Sequence, residues 1–123
     1  MSGNKLLLDT NAVLYVLNGD ETLADFLFEK ELYLSVISEM ELLSYKNIDE
    51  KEEQAIKAFL SDFLIINITE KIKLNAIEVK KTSSMKLPDS IIAATAISLN
   101  LPLITSDKHF KNISDLNLVY YEK

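Results

Sequence analysis

Leu6-Leu7-Leu8-Asp9-Thr10-Asn11 is a run of three leucines closed by a carboxylate, a hydroxyl and an amide. A second stretch repeats the plan: Leu101-Pro102-Leu103-Ile104, then Thr105-Ser106-Asp107. A strand with one wet face alternates apolar and polar residues. These runs are apolar at nearly every position, the pattern of strands buried on both faces of a parallel sheet. In open α/β sheets the ligand crevice lies beyond the carboxyl ends of the strands. The two runs are therefore expected to deliver Asp9 and Asp107 to the same edge of the molecule.

Between them, strands alternate with helices. Residues 5–8 form the first strand. Helices follow over about 11–17, ending at a left-handed Asn18-Gly19 cap, and over 21–29. Leu32-Tyr33-Leu34-Ser35 reads as strand two. Ser38-Glu39-Met40-Glu41 has capping-box spacing and is expected to open a helix to about 46. Asp49-Glu50-Lys51-Glu52 repeats that signature for a helix to about 61. Phe63 to Ile68 reads as strand three. Thr69 caps a helix to about 84 with Ile72, Ala76 and Val79 on one face. Pro88 and Asp89 open a helix that is apolar nearly all round, hence buried, and Asn100 ends it. Strand four covers 102–105, a short helix about 108–112, and 117–120 an edge strand. The expected fold is α/β: a three-layer α/β/α sandwich around a mainly parallel sheet of four or five strands, in a single domain over 1–123.

The chain has 123 residues, with 48% hydrophobic, enough for one core. It has no cysteine, which excludes disulfides, thiolate metal sites and a cysteine nucleophile. The leucine run is too short for a signal peptide, and 91–97 is too short to span a bilayer. A soluble cytoplasmic protein without membrane contact is expected. Net charge is −6 and arginine is absent, an unusual balance for a polyanion binder. Residues 20–53 hold eleven acids and three lysines, a balance of −8, whereas 54–123 hold seven acids and nine lysines, a balance of +2. Lys71, Lys73, Lys80, Lys81 and Lys86 gather in one segment, either a solvated helix face or a landing strip for a polyanion.

Four acids stand where solubility does not need them. Asp9 and Asp107 end strands, Glu41 sits in an apolar helix, and Asp89 starts the most buried helix. Singly, each has a structural explanation: Asp9 and Asp107 as helix caps, Glu41 as partner of Ser38, Asp89 as complement to the helix dipole. Brought to one edge, four carboxylates repel and their pKa values rise. A divalent cation relieves the repulsion, and oxygen ligands without His or Cys suit Mg2+ or Mn2+. Thr10, Asn11, Thr105 and Ser106 are placed to orient the acids.

The sequence resembles the PIN domain family, in particular the VapC-type toxin ribonucleases of type II toxin–antitoxin systems. The resemblance covers almost the whole chain. It rests on Leu-Leu-Asp-Thr-Asn at 7–11, Ser-Val-Ile-Ser-Glu-Met-Glu-Leu at 35–42, Leu-Pro-Asp-Ser-Ile-Ile-Ala-Ala-Thr-Ala at 87–96 and Leu-Ile-Thr-Ser-Asp-Lys-His-Phe at 103–110. It implies a magnesium- or manganese-dependent endoribonuclease whose catalytic and metal-binding quartet is Asp9, Glu41, Asp89 and Asp107, with Thr105 matching the family's hydroxyl before the last acid. Glu39 is the near decoy for Glu41. Where some members carry a further acid, this chain has His109. The resemblance also implies a homodimer held inactive by a cognate antitoxin, with the acid-rich helices of 21–61 as the contact region. An alternative is a PIN-fold RNA- or protein-binding module with little or no catalysis. Two other acidic α/β families fit poorly. A receiver-type phospho-acceptor lacks its Asp after Ile66-Asn67-Ile68, and a haloacid-dehalogenase-type phosphatase would need an acid where Asn11 stands.

Overall fold

The strand over Lys5–Leu8 (β1) is apolar on both sides because both sides are covered. Leu6 and Leu8 enter one core cluster and Leu7 the other, with all three buried. In the computed structural model, which describes residues 4–122, β1 is followed by α1 (Thr10–Leu17), α2 (Glu21–Leu27), β2 (Glu31–Ser35) and α3 (Val36–Leu43). Then come α4 (Glu50–Leu60), β3 (Leu64–Ile66), α5 (Glu70–Thr82), α6 (Leu87–Leu99), β4 (Leu103–Thr105), a 3-10 turn (Lys108–Asn112) and β5 (Leu118–Tyr120). Residues 1–3 and 123, part of the expected 1–123 domain, lie outside the described residues.

The strand order is β3-β2-β1-β4-β5, and every neighbouring pair is parallel. The expected α/β sandwich is therefore present, with five strands and β5 at an edge. The chain builds outward from β1 through β2 to β3, then returns to place β4 on β1's other side. That reversal puts the topological switch point between β1 and β4, where ligand crevices of such sheets open.

One core joins Leu6, Leu8, Leu34 and Ile104 of the sheet to Val13, Leu23, Leu42, Ile56 and Leu60 of α1–α4. The other joins Leu7 and Leu103 to Val79 of α5 and Ile92, Ala93 and Ala96 of α6. Helix α6 buries Ser90, Ile92, Ala93, Ala94, Thr95 and Ala96, as its nearly continuous apolar surface requires. It starts at Leu87, one residue before the expected Pro88, and ends at Asn100 in the left-handed conformation (φ 54°). Gly19 takes φ 95° beyond α1, a value that disfavours side chains, as the Asn18-Gly19 cap anticipates.

One helix start differs from expectation. Ser35 caps α3, its hydroxyl accepting from the Ile37 N–H at 3.1 Å, so Ser38 lies inside the helix. The physical reason is the sheet: Ser35 is the last residue of β2, paired with Ile66 of β3, and the chain turns into helix directly from that register. Asp49 does form the expected capping box with Glu52. Strand three is shorter than expected, and α2 stops at Leu27.

Candidate metal centre

The switch point places one residue from each of four elements around a cleft of about 420 Å³. Its lining includes Asp9 after β1, Glu41 of α3, Asp89 in the first turn of α6 and Asp107 after β4, together with Thr10, Asn11 and Tyr45. Glu39, two positions before Glu41 and so about 200° round α3 from it, is not part of that lining.

Asp9 is the deepest acid, 5% exposed. It is the N-cap of α1, with Oδ1 accepting from the Thr10 N–H at 2.8 Å. Its Oδ2 accepts from the Thr105 hydroxyl at 2.7 Å. Thr105 in turn accepts from the Asp107 N–H at 3.0 Å, linking the two strand-end acids through one hydroxyl. Burial pushes the Asp9 carboxyl up to about 6 from 3.8, against the opposing pull of the Thr105 and Thr10 hydrogen bonds; the charges of Asp89 and Asp107 raise it further. Asp89 is raised as well, first by burial and then by the charges of Asp107 and Glu41, with Lys86 and His109 pulling the other way. The capping explanation is thus true of Asp9, and also of Asp107, whose Oδ1 accepts from the His109 N–H at 2.9 Å. Capping does not account for the placement of all four carboxylates along one cavity.

The remaining side chains divide. Thr10 Oγ1 donates to Glu41 Oε1 at 2.7 Å, so Glu41 is not the capping partner of Ser38 that its spacing allows. Asn11 lines the cleft, and its buried Oδ1 has no hydrogen-bond partner among the described residues. Ser106 is turned away: its hydroxyl meets the Tyr15 hydroxyl at 2.9 Å. His109 Nδ1 lies 2.7 Å from Asp107 Oδ1 and is exposed. Lys86, the N-cap of α6, borders a neighbouring cavity of about 240 Å³ whose walls include Asp89 and Asp107 with Ser84, Met85 and His109. Lys71, Lys73, Lys80 and Lys81 are exposed on α5 but do not form one stripe. At about 100° per residue, Lys73 and Lys80 share a flank while Lys71 lies on the other. Lys73 also pairs with Glu70 at 3.0 Å. The residue that sequence reasoning missed is Ser38, fully buried and 2.9 Å from Thr10 Oγ1. The missed signal was the preceding Ser35, which competes for the cap.

The donor set fits a hard divalent cation. It offers carboxylate, amide and hydroxyl groups with no His or Cys, two of the acids are pushed toward neutrality by burial and mutual charge, and a buried amide oxygen lacks a donor. An unsatisfied buried acceptor costs roughly 1–3 kcal/mol, a cost that the hydration shell of an ion relieves. Among the described residues, no three Asp, Glu or His side chains are gathered as ligands around one point. Glu41 is drawn to Thr10 and Asp107 to His109 instead.

The PIN domain family model matches residues 6–116. A chain of a toxin–antitoxin complex from Klebsiella pneumoniae is 32% identical, with 96% of this chain and 99% of that one covered and a TM-score of 0.82. A chain of VapBC2 from Rickettsia felis, solved bound to a DNA fragment from its promoter, is 25% identical over 96% and 99% of the two chains, with a TM-score of 0.86. A chain of VapBC-1 from nontypeable Haemophilus influenzae is 27% identical over 97% and 99%, with a TM-score of 0.78. No curated protein matches the sequence. With the family model spanning nearly the whole chain and the VapBC structures superposing along its length, the chain belongs to the PIN domain family and is of the VapC type.

Proposed function

We propose that this chain is a metal-dependent ribonuclease that hydrolyses RNA phosphodiester bonds and acts as the toxin of a toxin–antitoxin pair. The observation that carries this reading is the cleft itself: acids from positions 9, 41, 89 and 107 line one cavity at the sheet's switch point. Asp9, Asp89, Asp107 and Glu41 would hold Mg2+ or Mn2+. Such an ion, when bound, supplies an activated water near neutral pH and offsets charge developing on the phosphoryl group. Thr105 fixes Asp9 and the backbone of Asp107 together, and Thr10 holds Asp9 by its N–H and Glu41 by its hydroxyl. No side-chain nucleophile is required.

The second reading, a PIN-fold binding module with little catalysis, draws on the contacts that engage Glu41 with Thr10 and Asp107 with His109. Metal decides between them. Under the nuclease reading, a hundredfold excess of Mn2+ over its dissociation constant stabilises the protein by about 2.7 kcal/mol, a rise of roughly 10 °C in melting temperature. Single-stranded RNA should be cut with Mn2+ or Mg2+ and left intact in EDTA. A protein that neither shifts nor cuts at millimolar metal is the binding module.

RNA approaches an acidic molecule, so the few cations near the cleft carry its entry. Lys86 stands at the wall shared with Asp89 and Asp107, whereas Lys71, Lys73, Lys80 and Lys81 are on α5 and are not part of that wall. Reversing Lys73 and Lys80 together should weaken binding of a short RNA to the Asp9→Asn protein. Reversing Lys86 should weaken it further, each lost phosphate contact reducing the salt slope by about 0.7. Unchanged slopes in a titration by fluorescence anisotropy would remove these lysines from the RNA path. The groove of about 290 Å³ lined by Leu14, Leu17, Tyr45, Ile48 and Ile56, on the acid-rich half, is the proposed seat of the antitoxin. A homodimer and a cytoplasmic location complete the reading; among the described residues, no helix is long and apolar enough to cross a membrane.

A further inference from the structure

We propose that Ser38 is a positioning residue for Glu41, acting through the hydroxyl of Thr10. The inference rests on the reading of the cleft as a metal centre. Ser38 is fully buried inside α3 and has no part in capping that helix. Its hydroxyl lies 2.9 Å from Thr10 Oγ1, which lies 2.7 Å from Glu41 Oε1.

Counting protons fixes the direction of this chain. A hydroxyl has one hydrogen to give, and an ionised carboxylate can only accept. Thr10 Oγ1 is placed to donate to either Ser38 Oγ or Glu41 Oε1 but has one proton; in the proposed arrangement that proton goes to the carboxylate, and the Ser38 hydroxyl rotates to donate to Thr10. Ser38 thus occupies the lone pair of Thr10 that would otherwise draw its hydroxyl into another rotamer, and it polarises the Thr10 O–H toward the carboxylate. The relay crosses from α3 to the start of α1 and back to α3. It engages Oε1 of Glu41, a residue that lines the cleft. Thr10 also donates its backbone N–H to Asp9, so one residue sets the positions of two acids. Burial makes the arrangement stiff: no water competes for Ser38, whose side chain has no exposed surface.

The test is calorimetric binding of Mn2+ to wild type, Ser38→Ala, Thr10→Val, Thr10→Ser, Glu41→Gln and the Ser38→Ala/Glu41→Gln double variant. Groups that orient a metal ligand typically carry ten- to a hundredfold in affinity. Ser38→Ala is expected to weaken Mn2+ binding about tenfold and Thr10→Val at least as much, with Thr10→Ser recovering most of the loss. In the Glu41→Gln background, removing the Ser38 hydroxyl should change affinity less than about twofold. An equal fold-change in both backgrounds overturns the relay. So does a lower melting temperature for Ser38→Ala at unchanged affinity, which marks a purely structural serine. Should Ser38→Ala fail to fold, the Thr10 pair decides: a Val variant that binds like wild type overturns the proposal. Absence of Mn2+ binding by wild type is a different result, and it defeats the metal reading itself.

Discussion

Replacing Asp9 by Asn is expected to cut manganese-dependent RNA cleavage at least about a hundredfold, the several kcal/mol that a Lewis-acidic ion contributes at about 1.4 kcal/mol per tenfold. Asp9 is the proposed ligand with the least freedom. Both of its oxygens are held, by Thr10 and Thr105, and it sits at the end of the central strand. An amide of the same shape keeps the fold but loses the negative charge that a cation needs. Single-turnover cleavage of a labelled single-stranded RNA, with circular dichroism to show an unchanged fold, measures the effect. Equal rates for both proteins would place any activity outside this cleft.

The same substitution should stabilise the metal-free protein at pH 8 by about 2 kcal/mol, raising its melting temperature by roughly 5–10 °C. The sign follows from the raised carboxyl. Folded Asp9 titrates at about 6 against 3.8 for the unfolded chain, so between these values the folded state binds more protons. Stability contributed by this group therefore falls as pH rises through that window. Above it, ionised Asp9 costs the fold about 3 kcal/mol. Asn avoids that cost and gives back about 1 kcal/mol through a poorer match to the Thr105 and Thr10 donors. Below about pH 4 the advantage should vanish. Thermal melts in EDTA at pH 8 and pH 4 check this, and equal destabilisation at both would make Asp9 a structural cap. Since metal ligands must be deprotonated, Mn2+ affinity should also decline below pH 6.

Much of this architecture is written locally. The unbroken apolar runs at 6–8 and 101–104 announce strands covered on both faces, and the structure sets them side by side as β1 and β4. The apolar surface of 91–97 announces a buried α6. The start of α3 is less legible, because Ser35 and Ser38 both carry cap chemistry and only the β2–β3 register selects Ser35. That choice moves Ser38 into the interior beside Thr10, a contact between residues 28 positions apart that no local pattern encodes. Ser106 shows the same limit. Its place next to Asp107 points to the acids, but the residue is turned toward Tyr15, whose position depends on how α1 packs. The lysines of α5 cluster in sequence yet separate around the helix, since neighbours in the chain are 100° apart on a helical surface.

Because β1 receives β4 as its second neighbour only after about a hundred intervening residues, the centre is a late product of synthesis. Any nascent chain that ends before Leu103 lacks Thr105 and Asp107, and its Asp9 has neither the hydroxyl that holds it nor the strand that covers it. The cleft that gathers the four acids is therefore complete only once residues 103–107 have been made.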